Sequence, residues 1–513
     1  MFCILYLSIG QYTKCKTSVA KSSTSSFITE IPLKTSSWEA AVLRKRFFAA
    51  KQQYNALLGE ALRRLKAMRS DPRWVEALVL YKQQGKKLAA REIFKAVAIA
   101  HSYREYDLYA YCKQWNTPGN SLSIGSRISQ QVAKRAFQAV EEYRKGNRGK
   151  PRFKGYRGLQ SIEDNSITAN LRLKGTTLYY LGLPLPLLYD DKDPIHYHGM
   201  QSKHKYVRLV RRTFNRRPRY FAQLVCEGKP WVKSHHTPQA GVVGLDIGPQ
   251  TIAIVAKEQQ LGHLQVFADA LKEHRQKKTQ LQREASRKLR ANNPACFEQD
   301  RWQKKDKHWR KKQGKVICGK RLKKRSAALQ ATIDRLADLQ RREAKHRKTQ
   351  HGQLVNKILQ LGSSIKTEKL SYRSFQKRYG KSVGMRAPGM FVERLTRKAE
   401  NAGGRVEQIN TWKTKLSQSC HCGQVQKKPL SERWHRCSCG VSAQRDLYSA
   451  YLACYVEKDV LMADEAQTAW SGMDIALRTA MNQIKQPISG PMPASLGMNS
   501  GQRLSCAMYP KLS

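Results

Sequence analysis

The sequence predicts a multidomain α+β protein, and three observations predict it. The chain has 513 residues, more than one hydrophobic core can organise, so two to four domains are expected. Apolar residues recur at helical spacing between positions 38 and 149. From 241 onward strand-like and helix-like segments alternate, the pattern of a mixed sheet with helices packed against it.

Residues 1–26 are rich in Ser and Thr and read as a disordered leader. Its opening Phe2-Cys3-Ile4-Leu5-Tyr6-Leu7 is apolar but short, and lacks the cationic start of a secretory signal. Residues 27–33 read as a short strand. Ser36-Ser37-Trp38-Glu39 is a capping box, after which Leu43, Phe47, Tyr54, Leu58, Leu62 and Leu65 follow at helical spacing. More helix is expected around 86–100 and 126–145. In the latter, Ile128, Val132, Ala136, Val140 and Tyr143 form the stripe and Gly146 ends it. Residues 38–149 therefore read as a helical domain.

At 150 the composition changes. Lys150-Pro151-Arg152-Phe153-Lys154-Gly155-Tyr156-Arg157-Gly158 is basic, aromatic and punctuated by Gly, which disfavours helix. Residues 177–183, 205–212 and 219–226 read as strands, with Val207, Leu209, Phe221 and Leu224 at apolar positions. Together 27–37 and 150–240 make a small β domain, interrupted by the helical insert.

A third unit spans 241–455. Gly241-Val242-Val243-Gly244-Leu245-Asp246-Ile247-Gly248 is an apolar strand ending in Asp246, and 251–255 is a second strand. Residues 271–350 carry 27 Lys/Arg against 8 Asp/Glu, and much of this reads as long charged helix, broken near Asn292-Asn293-Pro294. Leu354, Ile358 and Leu361 finish a helix, 365–368 is a short strand, helix 390–401 stops at Gly403-Gly404, and 406–409 is another strand. Residues 456–513, with Pro487, Pro491 and Pro493, read as a flexible tail.

Charge narrows the function. There are 95 Lys+Arg against 38 Asp+Glu, a formal net charge of +57. Self-repulsion of that size favours a polyanionic partner, and nucleic acid is the natural one because released counterions drive binding. A membrane surface is the alternative, but no run of about 20 apolar residues could span a bilayer. Arg211, Arg212, Arg216 and Arg217, with Arg152, Phe153, Lys154 and Tyr156, are candidates to grip phosphate or stack on a base. A solvated charged surface is the competing explanation for each of them.

Twelve cysteines are too few for a disulfide scaffold in a chain of this length, and four of them cluster. Cys420-His421-Cys422 and Cys437-Ser438-Cys439 are separated by 14 residues, and Gly423 and Gly440 follow the two pairs. Four thiolates suit a closed, structural zinc site, placing a zinc ribbon at 415–441. Both pairs are C-x-C where C-x-x-C is usual, so His421 or His435 could replace one ligand. The rest of the pattern fits a reducing cytoplasm.

In so basic a chain, acids beside apolar strands draw attention. Asp246 and Glu368 each end a strand, and Asp446 opens an apparent helix after the ribbon. Converging at the strand ends of a ribonuclease-H-like sheet, three carboxylates would hold two Mg²⁺ ions for phosphodiester hydrolysis. Spacing alone does not single these three out, since an isolated acid is usually a solvated surface residue.

A family resemblance does. Gly244-Leu245-Asp246-Ile247-Gly248 resembles the first RuvC motif of the transposon-encoded TnpB/OrfB family, itself similar to ancestors of type V CRISPR effectors. Thr367-Glu368-Lys369-Leu370 resembles the second motif, and Cys437-Ser438-Cys439-Gly440 followed by Arg445-Asp446-Leu447 resembles the junction from zinc ribbon to third motif. The resemblance covers roughly 27–455. It implies a RuvC-like (RNase H-like) nuclease domain with inserted zinc ribbon, a helical recognition domain and a small β-barrel wedge domain. It also implies a guide RNA, a double-stranded DNA target, structural Zn²⁺ and two catalytic Mg²⁺ ions, with Asp246, Glu368 and Asp446 catalytic. The chain departs from the family at two positions: Lys369 stands where an acid is usual and Tyr448 where Asn is usual. Both are expected beside the catalytic metal ligands. The function expected is an RNA-guided DNA endonuclease in the cytoplasm of a prokaryote, at the nucleoid. The alternatives are a nuclease-inactive RNA-guided DNA-binding protein and a transposase acting directly on DNA ends.

Overall fold

The predicted capping box forms at the start of a 33-residue helix, Ser37–Arg69. The Ser36 hydroxyl accepts from the Glu39 amide (3.2 Å) and the Glu39 carboxylate accepts from the Ser36 amide (2.6 Å). The computed structural model describes residues 25–484, apart from 118, 156–157, 215, 267, 269–271, 306–307, 321, 323 and 430–431. The leader through 24 and everything from 485, with Pro487, Pro491 and Pro493, lie outside the described residues, as do Tyr156 and Arg157. The chain divides into two units, one ending at Trp231 and the other beginning at Val232.

In the first unit the long helix buries Leu43, Phe47, Leu57, Leu58 and Leu65 and packs against helix Ser126–Arg144. Strands Ser26–Pro32, Arg217–Glu227, His204–Phe214 and Ser161–Glu163 pair antiparallel in that order. Helices and strands share a single core, in which Phe47 and Leu58 join Ile31, Leu209 and Leu224. The strand expected at 177–183 is in fact two, Thr177–Tyr180 and Leu183–Pro186. Leu181 (φ +46°) and Gly182 (φ +81°) both sit in the left-handed region between them, which makes a tight hairpin. With Leu171–Lys174 they form a separate three-stranded sheet, which touches the first through a Leu33–Leu187 bridge. Around that bridge the Lys34 amide donates to the Pro186 carbonyl and the Leu188 amide to the Pro32 carbonyl (both 2.8 Å), joining the two sheets. Pro32, Pro184 and Pro186 have no N–H to continue the ladder.

The second unit is built on a five-stranded sheet, in the order Leu261–Val266, Thr251–Ala256, Val242–Ile247, Ser364–Glu368, Arg405–Ile409. The first three strands are antiparallel neighbours and the last three run parallel. Both faces are covered. Val243, Leu245, Ile247 and Ile365 pack on one side with Ile358 of helix Ala327–Leu361 and Leu395 of helix Pro388–Asn401. On the other side Ala253 and Val255 pack with helices Arg445–Cys454 and Trp470–Ile484.

The charged stretch 271–350 is largely helix, as expected, and the first helix ends at the expected break, Asn292; between helices Lys272–Asn292 and Ala327–Leu361, however, it carries an unforeseen hairpin, Arg301–Lys305 with His308–Lys312. Each strand carries one Trp among mostly cationic residues and no alternation of apolar with polar ones, so the usual strand signal is missing. The segment after 456 is not a flexible tail up to 484. It forms a short hairpin, Val456–Glu457 with Val460–Leu461, and helices Ala463–Thr468 and Trp470–Ile484. Met473, Leu477, Ala480 and Met481 make a buried stripe on the last helix, which packs on strand Leu261–Val266. No helix among the described residues is long and apolar enough to cross a membrane.

Candidate active site

Strand alternation puts Gly244 and Asp246 on the opposite face from Val243, Leu245 and Ile247. Thr367 pairs with Leu245 in the parallel register, which carries Glu368 alongside Asp246 at the carboxyl ends of two neighbouring strands. Lys366, two residues before Glu368, marks the same face. Its buried ammonium donates to the carbonyls of Cys454 (3.2 Å) and Val456 (2.6 Å), at the end of helix Arg445–Cys454. That helix lies directly over the strands. A Cβ on Gly244 would stand 1.9 Å from the Ala450 carbonyl oxygen, so glycine alone permits this approach. The helix begins with Asp446 in its first turn, capped by the Gln444 side chain accepting from the Leu447 amide (2.7 Å).

The three carboxylates therefore meet on one face at one end of the sheet, and their electrostatics register it. Asp246 is raised well above the ordinary carboxylate range, first by desolvation, then by the charges of Asp446 and Glu368, with Arg445 and Arg433 opposing. Burial raises Glu368 to about 7. All three are half-buried as residues. Glu368 Oε1 has no hydrogen-bond partner among the described residues, nor has the buried hydroxyl of Tyr372, whose ionisation is opposed first by burial and then by the charges of Asp246 and Glu368. Tyr372 is a member of the site that sequence reasoning missed. It lies in a helix, Tyr372–Arg386, that no apolar period announced. Arg445 was also missed. It stands 3.5 Å from Asp446 and donates to the Glu432 carbonyl (2.8 Å), joining the ribbon to the acids.

The four cysteines form a cluster of their own, with ligand atoms all within 4.8 Å of one another. Cys420 and Cys439 sulfurs are 3.6 Å apart, and Cys422 and Cys437 3.5 Å. A tetrahedral ion with bonds of about 2.3 Å sets its sulfurs roughly 3.8 Å apart, so the spacing suits zinc. Each pair turns the same way. The Gly423 amide donates to the Cys420 carbonyl (3.0 Å) and the Gly440 amide to that of Cys437 (3.1 Å), with φ of +85° and +92°. The two histidines left open by the sequence lie outside the set. His421 Nδ1 is 3.0 Å from the Tyr448 hydroxyl, and His435 stacks on the Tyr448 ring at 4.3 Å.

Tyr448 corrects an expectation. Two residues beyond Asp446 on a helix, it faces away from the acids. Its hydroxyl lies 3.3 Å from Cys420 Sγ and accepts from the His421 amide (3.1 Å). It braces the cysteine cluster against the helix that carries Asp446. Lys369 is exposed; its amide donates to the Ile409 carbonyl (2.8 Å) and its carbonyl accepts from the Thr411 hydroxyl (3.1 Å).

Two of the proposed phosphate-gripping arginines are already occupied. Arg212 pairs with Glu30 and lies over Phe221, and Arg211 lies over Phe47 and donates to the Leu159 carbonyl (3.1 Å). Arg152, Phe153, Arg216 and Arg217 are exposed.

Residues 389–452, from helix Pro388–Asn401 through the cysteine cluster to Asp446 and beyond, match a family model described as the Cas12f1-like TNB domain. Among solved structures, a cryo-EM Cas12f1–sgRNA–target DNA complex is 11% identical, with 81% of this chain and 82% of that chain covered and a TM-score of 0.44. A CRISPR–Cas12f ternary complex is 10% identical over 80% and 81%, with a TM-score of 0.29. TM-scores of this size do not by themselves establish a shared fold. No curated protein matches the sequence.

Proposed function

We propose that this chain is an RNA-guided, Mg²⁺-dependent DNA endonuclease of the transposon-associated TnpB type, with a RuvC-like (RNase H-like) site formed by Asp246, Glu368 and Asp446. The observation that carries the reading is the meeting of these three carboxylates at one end of a mixed sheet in a chain of net charge +57. The match of 389–452 to a Cas12f1-like model supports it.

The donor set fits the metal. Carboxylate oxygens suit a hard cation, and Glu368 Oε1 is a buried acceptor with nothing to accept from. Bound there, a pair of Mg²⁺ ions would supply an activated water and a stabilised leaving 3′ oxygen. The chain's own residues do the rest. The two strand ends fix Asp246 and Glu368 side by side. Arg445, held by the Glu432 carbonyl, keeps Asp446 turned toward them and places positive charge where a phosphate would enter. Tyr372 has a hydroxyl free to donate into the same space. Four cysteines would hold a structural Zn²⁺, anchoring through Tyr448 the helix on which Asp446 rides.

Base pairing with a guide would read sequence, leaving the protein to read backbone and shape. The test is to purify the chain with its RNA, sequence that RNA, and supply plasmids with and without the matching target. Cleavage of the matched plasmid only is expected. Cleavage without RNA, or strand joining in its absence, would favour a transposase acting on DNA ends.

A pH dependence follows from Glu368. Its folded pKa of about 7 lies above the ordinary value of 4.5, so the metal-free fold prefers it protonated. Below pH 4.5 the residue costs nothing. Through the window from 4.5 to 7 its ionisation increasingly destabilises the fold, and above 7 the whole penalty is present. The gain in Tm on adding Mg²⁺ is thus expected to be larger at pH 8 than at pH 5, and Glu368→Gln should flatten the difference. A native protein whose Mg²⁺ response ignores pH would contradict this.

A further inference from the structure

The hairpin Arg301–Lys305/His308–Lys312 stands between two long helices, and nothing in the proposed cleavage chemistry uses it. Its base is tightly built. Phe297 and Val316 bridge below it, and Arg290 lies over the Phe297 ring at 4.4 Å while donating to the Gly314 carbonyl (2.7 Å). The Gly314 amide donates to Asp300 (2.9 Å), and a Cβ at Gly314 would sit 1.9 Å from the Glu298 carbonyl oxygen. Trp302 and Trp309 are each 66% exposed, an unusual condition for the largest apolar side chain.

The register says how they are arranged. Trp302 pairs with Lys311 and Trp309 with Lys304, so all four share one face with the two indoles on a diagonal. Lys311 is 3.4 Å from Asp300 and remains exposed, as does Lys304. Diagonal neighbours stand about 7 Å apart, which leaves room for one base at about 3.4 Å per stacked layer. Residues 301–312 hold seven Lys/Arg and one Asp, so the complementary partner is a polyanion with flat faces to offer. Bases within an intact duplex have their faces covered. We infer that this hairpin is a stacking platform for unpaired nucleic acid, with Trp302 and Trp309 gripping a base and Lys304 and Lys311 its flanking phosphates.

The inference rests on the nucleic-acid-binding half of the function proposed above, and not on cleavage. The full chain is tested with a labelled oligothymidylate of about twelve nucleotides, within the span one such site covers. Trp302→Ala/Trp309→Ala is expected to weaken binding roughly 5- to 150-fold per base lost, with an unchanged salt slope, and Trp302→Phe/Trp309→Phe should restore most of it. Because other basic surfaces also bind, a strand carrying 5-iodouracil locates the contact: the cross-linked peptide should lie within 301–312. Unchanged affinity in the double Ala variant, an equal loss for the corresponding duplex, or a cross-link map lacking this hairpin overturns the assignment. A chain that cleaves under RNA guidance yet fails these tests loses only the hairpin; an inactive chain that passes them keeps it.

Discussion

Asp246→Asn is expected to lower DNA cleavage by roughly 10³-fold or more while leaving the bound RNA in place. Asn keeps the volume of Asp, so no cavity opens and the strand pairing of Val242–Ile247 is untouched. The charge is what changes. Asp246 is held well above the ordinary carboxylate range first by desolvation and then by the charges of Asp446 and Glu368. Removing it should therefore do two opposite things: metal affinity and cleavage fall, and the metal-free protein gains stability because a repelled, desolvated charge is gone. A rise in metal-free Tm together with lost cleavage separates a ligand from a residue needed only for folding. Cleavage within tenfold of the native protein would remove Asp246 from the site; a native chain that binds RNA and DNA but does not cleave would favour the nuclease-inactive reading.

Gly244→Ala should be nearly as damaging, though Gly244 carries no chemistry. The new methyl would overlap the Ala450 carbonyl oxygen at 1.9 Å and crowd Cys454 Sγ at 2.9 Å, and the first of these is helix backbone. Helix Arg445–Cys454 must then move off the sheet, taking Asp446 with it. Overpacking of this kind costs about 1–3 kcal/mol or more, and a shift of about 1 Å in a catalytic group can cost ~10² in rate. The variant is expected to show a Tm lower by roughly 5–10 °C and a cleavage rate down about a hundredfold. Gly262→Ala is the control. Its methyl would meet Leu477 Cδ2 at 2.9 Å, the far end of a flexible side chain, so activity should survive. Equal behaviour of the two variants would show that the close approach at Gly244 does not set the position of Asp446.

How far the sequence reached depends on the kind of signal each feature leaves. Strands Val242–Ile247 and Thr251–Ala256 announced themselves as apolar runs, because a sheet covered on both faces needs little polar alternation, whereas the edge strand Leu261–Val266 was not foreseen. The capping box at Ser36 was legible because its hydrogen bonds close within four residues. Asp246, Glu368 and Asp446 were picked out by resemblance and not by spacing. Their proximity is a matter of parallel register and of one helix lying close on Gly244, and neither leaves a local trace. Tyr448 was expected to face the acids; helical geometry turns it toward Cys420 instead, a direction visible only once the ribbon is in place. Arg211 and Arg212 looked like free cations until Phe47, Phe221 and Glu30 were brought to them by distant strands. The hairpin at 301–312 went unseen for a different reason. Strand prediction looks for a buried face, and this ribbon has Trp302 and Trp309 exposed on it.

Everything proposed about cleavage depends on three carboxylates sharing divalent ions, and that can be counted. Mn²⁺, a spectroscopic stand-in for Mg²⁺, is titrated into the RNA-free chain with zinc retained, and bound ions are followed by electron paramagnetic resonance. The native chain is expected to take up a spin-coupled pair of ions, and Asp246→Asn/Glu368→Gln/Asp446→Asn none at that site. A native chain that shows no coupled pair, or a triple variant that still shows one, would contradict the account.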